Sequence, residues 1–454
     1  LKCLFSVEFI RQAFRDMISG AEKIETIPAV NPKPHAAFFR QSGWLMIANI
    51  GSGAMMWAVH FLAKKTTAAE YGAFGVMLAV AMCVPNLPLQ MVFAQQTARA
   101  LATGRARELA GMIRLAWLGT LGLALLFALG VLIWQAQILA AWKLPGAAGL
   151  WITVAVVLFS FWLPMFTGVM QGQQNFFWMG WVNILNGVGR LSVAAVLVLA
   201  FACGSTGMVT GVSLGLAVAV GIGIWQTRGL WRLPKLAFAK RALLAQIVPL
   251  MLGFGAVQFL FTADTMFVRN YFSDDESGFY TGAGTLARAL LWLVLPLATV
   301  MFPKIVHSAA RSEKSNLLGL VLLGTGMLAA CGALGLTVLG PWIIKFVFKE
   351  SFVQVAAAVL PWYAWAMVPL SLANVLVNNL LARSQFRIVP VLVALAVAYG
   401  FALAVVGRHA GQLASPEAGL RLILQTLGVV NLLLLAACAF FTWSGEVEKV
   451  PVKN

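Results

Sequence analysis

Two arginines stand inside stretches of sequence that are otherwise apolar enough for lipid. Arg288 lies within TGAGTLARALLWLVLPLATV, residues 281–300, and Arg190 within the stretch 178–201. A permanent cation at the centre of a bilayer helix costs about 2.5–3.5 kcal/mol even on lenient insertion scales, so it must face protein or water and meet a partner. Such an arginine either props up the fold against a carboxylate or holds an anionic ligand. Polar stripes run beside both at helical spacing, where positions three, four and seven apart share a face. Asn183, Asn186 and Arg190 form one, and Thr281, Thr285 and Arg288 another. Further stripes are Gln258, Thr262 and Thr265; Ser371, Asn374 and Asn378; and Asn49, Ser52 and His60. Groups of this kind either hydrogen-bond between packed helices or line a wet cavity. Five stripes in one chain, two of them ending on arginine, predict a cavity.

Asp264 is the only acid inside any of these apolar stretches. Across a tight turn it is within reach of Arg288 as a structural ion pair, and it is also the one candidate for an ion-coupling carboxylate. Arg190 has no acid in the helices of its own half. At least one intramembrane cation is therefore left awaiting an anion.

The elements that must position these residues follow from composition. Of 454 residues 61% are hydrophobic and 10% charged, against about 25% charged in soluble domains. This is an integral membrane protein. Twelve apolar runs are each long enough to cross roughly 30 Å of hydrocarbon as a helix: 42–63, 71–97, 113–134, 150–170, 178–201, 207–226, 242–268, 278–301, 316–340, 354–380, 389–408 and 419–443. None shows the short alternating segments of a membrane barrel. The fold class is all-α.

Lysine and arginine fall unevenly about these runs. With the N-terminus inside, the inner segments collect 22 of the 32 basic residues and the outer segments 8, with Arg190 and Arg288 within the membrane. By the positive-inside rule both chain ends are cytoplasmic. The net charge of +17 is thus a topology signal that also suits anionic headgroups, and nucleic-acid binding is not expected. Cys3, Cys83, Cys203, Cys331 and Cys438 are scattered singly, as are the four histidines, so neither a disulfide framework nor a metal centre is predicted. No connection between spans exceeds about 15 residues and no Walker-type glycine loop is present. That leaves no room for an extramembrane catalytic or nucleotide-binding domain, and no cofactor is expected.

A weak internal repeat divides the chain. LPLQMVFAQQTARA at 87–100 echoes LPLATVMFPKIVHSA at 295–309; EYGAF at 70–74 echoes ESGFY at 276–280; QGQQNF at 171–176 echoes ARSQF at 382–386. Two six-helix halves entering from the same side are implied, related by an axis along the membrane normal. The expected organisation is an N-terminal segment 1–41 with the character of an interfacial helix, a first lobe 42–226, a basic linker 227–241, a second lobe 242–443 and a tail 444–454. A cleft between the lobes is the natural substrate site.

The EYGAFGVMLAVAMC opening of the second helix, the passage DTMFVRNYFSDDESGFYTGAGTLAR from Asp264 to Arg288, and the following LPLATVMFPKI resemble one known group. It is the polysaccharide transporter, or oligosaccharide flippase, branch of the multidrug/oligosaccharidyl-lipid/polysaccharide (MOP) exporter superfamily. The resemblance covers nearly all of residues 40–443. It implies a V-shaped fold and alternating access in the bacterial cytoplasmic membrane, with an undecaprenyl-diphosphate-linked glycan as cargo. Glycan polymerase or assembly proteins are its implied neighbours. In that reading Arg288 and Arg190 hold the diphosphate, for which the bidentate guanidinium is suited. The Asn, Gln and Thr stripes bond sugar hydroxyls, and the polyprenyl tail stays in lipid. Two rivals are a MATE-type cation-coupled multidrug antiporter and a membrane glycan polymerase or ligase. The first departs from this sequence in needing intramembrane carboxylates, absent from the first six spans. The second departs from it in needing a large outer loop.

Overall fold

A computed structural model describes residues 34–234, 236–310 and 317–444, with the side chains of 34–42, 295–310 and 317 outside that description. The expected interfacial helix before residue 34 and the tail at 445–454 lie outside the described residues. The helices are α1 (Pro34–Ala58), prolonged by a 3-10 turn at Val59–Lys64, then α2 (Ala68–Met82), α3 (Asn86–Ala102), α4 (Ala106–Ile133), α5 (Gln135–Ala141), α6 (Ala147–Gly172), α7 (Phe176–Leu199) and α8 (Gly204–Arg232). After them come α9 (Lys240–Tyr271), α10 (Asp274–Ala310), α11 (Leu317–Val347), α12 (Val353–Ala382), α13 (Val389–Ala410) and α14 (Pro416–Ser444). Among the described residues there is no strand. Among the described residues eleven segments are long and apolar enough to cross a membrane. α10, with 37 residues and about 55 Å of length at 1.5 Å per residue, supplies the twelfth expected crossing.

Two expectations need correction. The span expected as one helix at 71–97 is two, α2 and α3, parted at Cys83–Pro85. Pro85 has no N–H to continue the ladder, and Pro88 sits in the first turn of α3, where a missing N–H costs nothing. The carbonyl of Met82, left free by the break, accepts from Gln258 Nε2 at 3.0 Å. The linker expected at 227–241 is helical to Arg232. Arg114 donates to the carbonyls of Trp231 and of Leu233, the latter at 2.7 Å, so that α4 caps the end of α8 and satisfies carbonyls a helix terminus would otherwise leave open.

The repeat is a matter of geometry as well as letters. Gln174 and Ser384, 210 positions apart, both adopt left-handed backbone, at φ 58° and 57°. Each is followed by the same closing bond, Asn175 N–H to Met170 O at 2.9 Å and Gln385 N–H to Leu380 O at 3.0 Å, which ends α6 and α12 in the manner of a left-handed C-cap. At the other end of the molecule, Thr67 and Glu70 cap α2 reciprocally, with Thr67 N–H to Glu70 Oε2 at 2.9 Å and Glu70 N–H to Thr67 Oγ1 at 3.2 Å. Ser273 and Glu276 do the same for α10 at 2.9 and 3.4 Å. These are capping boxes 206 positions apart.

Two six-helix bundles result. α1, α6, α7 and α8 pack together in the first, and α12 joins α10, α11 and α14 in the second. Between bundles, α2 packs on both α9 and α10, and α3 lies along α9, where Gln246 Nε2 donates to Gln95 Oε1 at 3.3 Å. On the other flank, among the described residues, α1 and α10 do not pack along each other. The bundles therefore close over one another at the end holding the turns 65–67 and 272–273, and meet again farther along through α3 and α9.

Candidate functional site

The site begins at the crossing of α2 with α10. Gly72, Gly75 and Gly278 make that approach close: a Cβ on Gly278 would collide with the Ala68 carbonyl, and one on Gly75 with the Thr281 side chain. Glycine is required there by contact. Just below it, Tyr71 of α2 is fully buried and bridges the bundles. Its hydroxyl lies 2.7 Å from His60 Nδ1 and 3.1 Å from Thr285 Oγ1 of α10, and Thr285 donates onward to the Thr281 carbonyl at 2.9 Å.

Two arginines approach this chain from opposite sides. Each is the fifteenth residue of its helix, Arg190 in α7 and Arg288 in α10, and Tyr71 stands within electrostatic reach of both. Their surroundings differ. Arg288 donates Nη2 to Asp264 Oδ1 at 2.8 Å and to Thr265 Oγ1 at 2.7 Å, and Nε to the Phe261 carbonyl at 3.0 Å. Its guanidinium lies over the Phe261 and Tyr363 rings, 5.6 and 5.4 Å from their centroids, an arrangement that favours a cation. Asp264 is 0% exposed, and its other oxygen accepts from Tyr280 at 2.8 Å and from Tyr363. The ion pair left open by the sequence is thus formed, and the carboxylate is fully occupied.

Arg190 is half-buried, with a buried Nε that has no hydrogen-bond partner and no acidic neighbour among the described residues. His60 and Tyr71 are the titratable groups within its electrostatic reach. Since Arg288 and Asp264 cancel, the uncompensated charge of the site sits, among the described residues, on Arg190.

The other stripe residues divide. Asn183 donates to Asn49 Oδ1 at 2.6 Å, and Asn49 remains exposed at the level of a membrane span. The bond between them satisfies one amide acceptor that would cost several kcal/mol if left open in hydrocarbon, while Met46 and Ile50 beside Asn49 on α1 are exposed as well. Asn186 is half-buried against Gly215, and Ser52 is buried with its hydroxyl unpartnered. Thr262 is fully buried, bonded to the Gln258 carbonyl at 2.9 Å and 3.3 Å from Cys83 Sγ, so it and Gln258 serve the break between α2 and α3. Thr281 is buried beneath Gly75. In α12, Asn378 donates to the Asn374 carbonyl at 2.7 Å and Ser371 to that of Met367 at 2.9 Å, all within one helix.

Sequence reasoning passed over the tyrosines and Arg269. Of five tyrosines, Tyr71, Tyr280, Tyr363 and Tyr399 are 0% exposed, and three of these hold the groups just described. Scarcity combined with placement in apolar runs was the available signal. Arg269, 2% exposed, donates to the carbonyls of Trp142 at 2.8 Å and Lys143 at 2.9 Å in the first bundle and to Ser277 Oγ at 2.7 Å in its own. Among the described residues no group of histidines, cysteines or acids could hold a metal ion.

No family model matches this sequence, and no curated protein matches it. Solved structures match in fold. A multidrug resistance MATE family transporter of the MOP superfamily, in an inward-facing conformation, is similar with a TM-score of 0.68 and 9% identity over 87% of this chain and 94% of that one. The lipid II flippase MurJ, in an inward closed conformation, is similar with a TM-score of 0.63 and 15% identity over 89% and 87%. A MOP superfamily transporter from Pyrococcus furiosus, described as having a binding pocket of reversed polarity, gives 0.57 and 11% over 90% and 94%. At these identities the likeness is one of fold: this multi-pass membrane chain has the architecture of MOP transporters.

Proposed function

We propose that this chain is a secondary transporter that moves an undecaprenyl-diphosphate-linked oligosaccharide from the inner to the outer leaflet of the bacterial cytoplasmic membrane. The observation that carries the reading is Arg190, a cation at mid-helix two turns along α7 from the Asn49–Asn183 amide pair and, among the described residues, without a carboxylate partner. A diphosphate supplies the missing charge and the acceptor oxygens that a guanidinium binds as a fork. Arg288 stands across the crossing as a second, internally neutralised donor, and Asn49 and Asn183 are placed to bond sugar hydroxyls. With the basic linker inside, the end holding the turns 65–67 and 272–273 faces outward.

Proteins of this fold include those described as multidrug transporters and as a lipid flippase, so the charge of the cleft discriminates better than the fold. A cation-coupled antiporter needs a carboxylate free to exchange its ion. Asp264 accepts from Arg288, Tyr280 and Tyr363 and is not free in that sense. The test is reconstitution in proteoliposomes with polyprenyl-diphosphate-linked oligosaccharide and an assay of its leaflet distribution. Translocation by the wild type and its loss in Arg190→Gln support the reading. A wild type that moves no glycan-lipid but extrudes a cationic dye down a proton or sodium gradient overturns it.

A further inference from the structure

The closed end makes one contact twice. Lys143, in the turn between α5 and α6, donates Nζ to the carbonyl of Phe272, the C-cap of α9 in the opposite bundle, at 2.5 Å. Lys349, in the turn after α11, donates Nζ to the carbonyl of Thr66, in the turn leading into α2, at 2.7 Å. The two lysines are 206 positions apart, and so are the two carbonyls. Each bundle thus reaches across to the same point on the other.

That spacing also relates the capping box of Thr67 and Glu70 to that of Ser273 and Glu276, and Gly72 to Gly278. The lysines therefore grip the turns that lead directly into α2 and α10, the two helices whose glycines meet at the crossing. An ammonium on a carbonyl is a charge-assisted hydrogen bond, and Lys143 and Lys349 both keep enough exposure to exchange that carbonyl for water. Arg269 differs in having no duplicate: the residue 206 positions earlier is Ala63.

We propose that Lys143 and Lys349 are a duplicated pair of gate latches, which hold the closed end shut and release together when the bundles part there. The release, as distinct from the contact, rests on the alternating-access reading above. Burial at the crossing does not need the lysines, whereas a gate needs contacts that water can replace.

The test uses full-length protein in proteoliposomes without cargo, on a background in which all five native cysteines are replaced. Pulsed electron paramagnetic resonance reads two spin-label pairs, both at exposed positions. Lys65→Cys with Asp275→Cys spans the closed end, and Gly229→Cys with Arg383→Cys spans the linker end. The wild-type latches are expected to give one short distance across the closed end. Lys143→Met with Lys349→Met should add a longer population there and, in the same sample, a shorter one at the linker end, with each single change intermediate. Lys143→Arg with Lys349→Arg, which keeps a donor, should return the wild-type pattern. Unchanged distances in the double methionine variant overturn the proposal. So does lengthening at the closed end without shortening at the linker end, which is loosening and not gating, and so does a double variant that cannot be isolated folded. A wild type that moves no glycan-lipid would sink the cargo assignment and leave this measurement standing.

Discussion

Arg288 and Asp264 meet at 2.8 Å in a membrane-embedded crossing, with two tyrosine hydroxyls closing the far side of the carboxylate. Taking one partner from a buried pair leaves an uncompensated charge, worth about 3–5 kcal/mol, whereas removing both together is often close to neutral. Arg288→Gln and Asp264→Asn should each lower the yield of folded protein, and the double change should recover it. Size-exclusion profiles of detergent-solubilised protein check this. Export in the double variant then separates two roles for Arg288: recovery with full export makes it structural only.

Arg190→Gln is expected to behave differently. It strands no acid, so folded yield and melting temperature should stay near wild type while glycan-lipid translocation falls to background. Arg190→Lys should rescue in part, since a point charge lacks the bidentate fork. A variant that translocates at the full rate would remove the diphosphate role.

Tyr363→Phe deletes one donor to Asp264 and keeps the ring over Arg288. An unsatisfied buried acceptor costs about 1–3 kcal/mol. Because Tyr280 remains, the lower half of that range is expected. Thermal unfolding of purified protein reads it, and a drop as large as that of Arg288→Gln would mean that the hydroxyl, and not the cation, anchors the carboxylate.

Orientation can be read from two exposed positions. Gly229→Cys, in the last turns of α8, should be silent to an impermeant thiol reagent applied to intact cells, and Asp275→Cys, at the start of α10, should react. The reverse pattern would invert the assignment of the closed end to the outside and, with it, the direction of transport.

An imposed potential offers a further check. An inside-negative potential favours outward movement of an anion by about 2.3 kcal/mol per charge per 100 mV. Translocation in proteoliposomes should therefore quicken when the cargo-loading side is made negative, and should proceed without ATP. A rate indifferent to voltage would show that the cargo charge is compensated during transit.

The helices were legible because lipid imposes length and apolarity on every crossing, and a single chain shows both. The break at Cys83–Pro85 was not. Pro85 and Pro88 fall inside an apolar run, and hydropathy is blind to a gap in the hydrogen-bond ladder. Asp264 and Arg288 were both legible as unusual, but whether they touch depends on the turn between α9 and α10 and on two tyrosines that composition classes with the core. Gln258 and Thr262 stood out for the same polarity as Asn49 and Asn183. Their different environments, contact between the bundles for one pair and a bond from α7 to α1 for the other, follow from packing that no local spacing encodes. The lysine latches escaped notice because a surface lysine is ordinary until its acceptor is known.

The interruption in the second crossing also has a mechanical meaning. α2 is clamped above by its glycine contact with α10, while α3 continues below a joint of three residues. With 17 residues at 1.5 Å each, α3 runs on for about 25 Å past that joint. Because no hydrogen-bond ladder runs through the joint, the direction of α3 is set by its own packing on α6, where Gly168 and Gly172 meet the carbonyls of Gln90 and Ala94, and not by that of α2. Gln258, reaching from α9 to the Met82 carbonyl, ties that break to the opposite bundle.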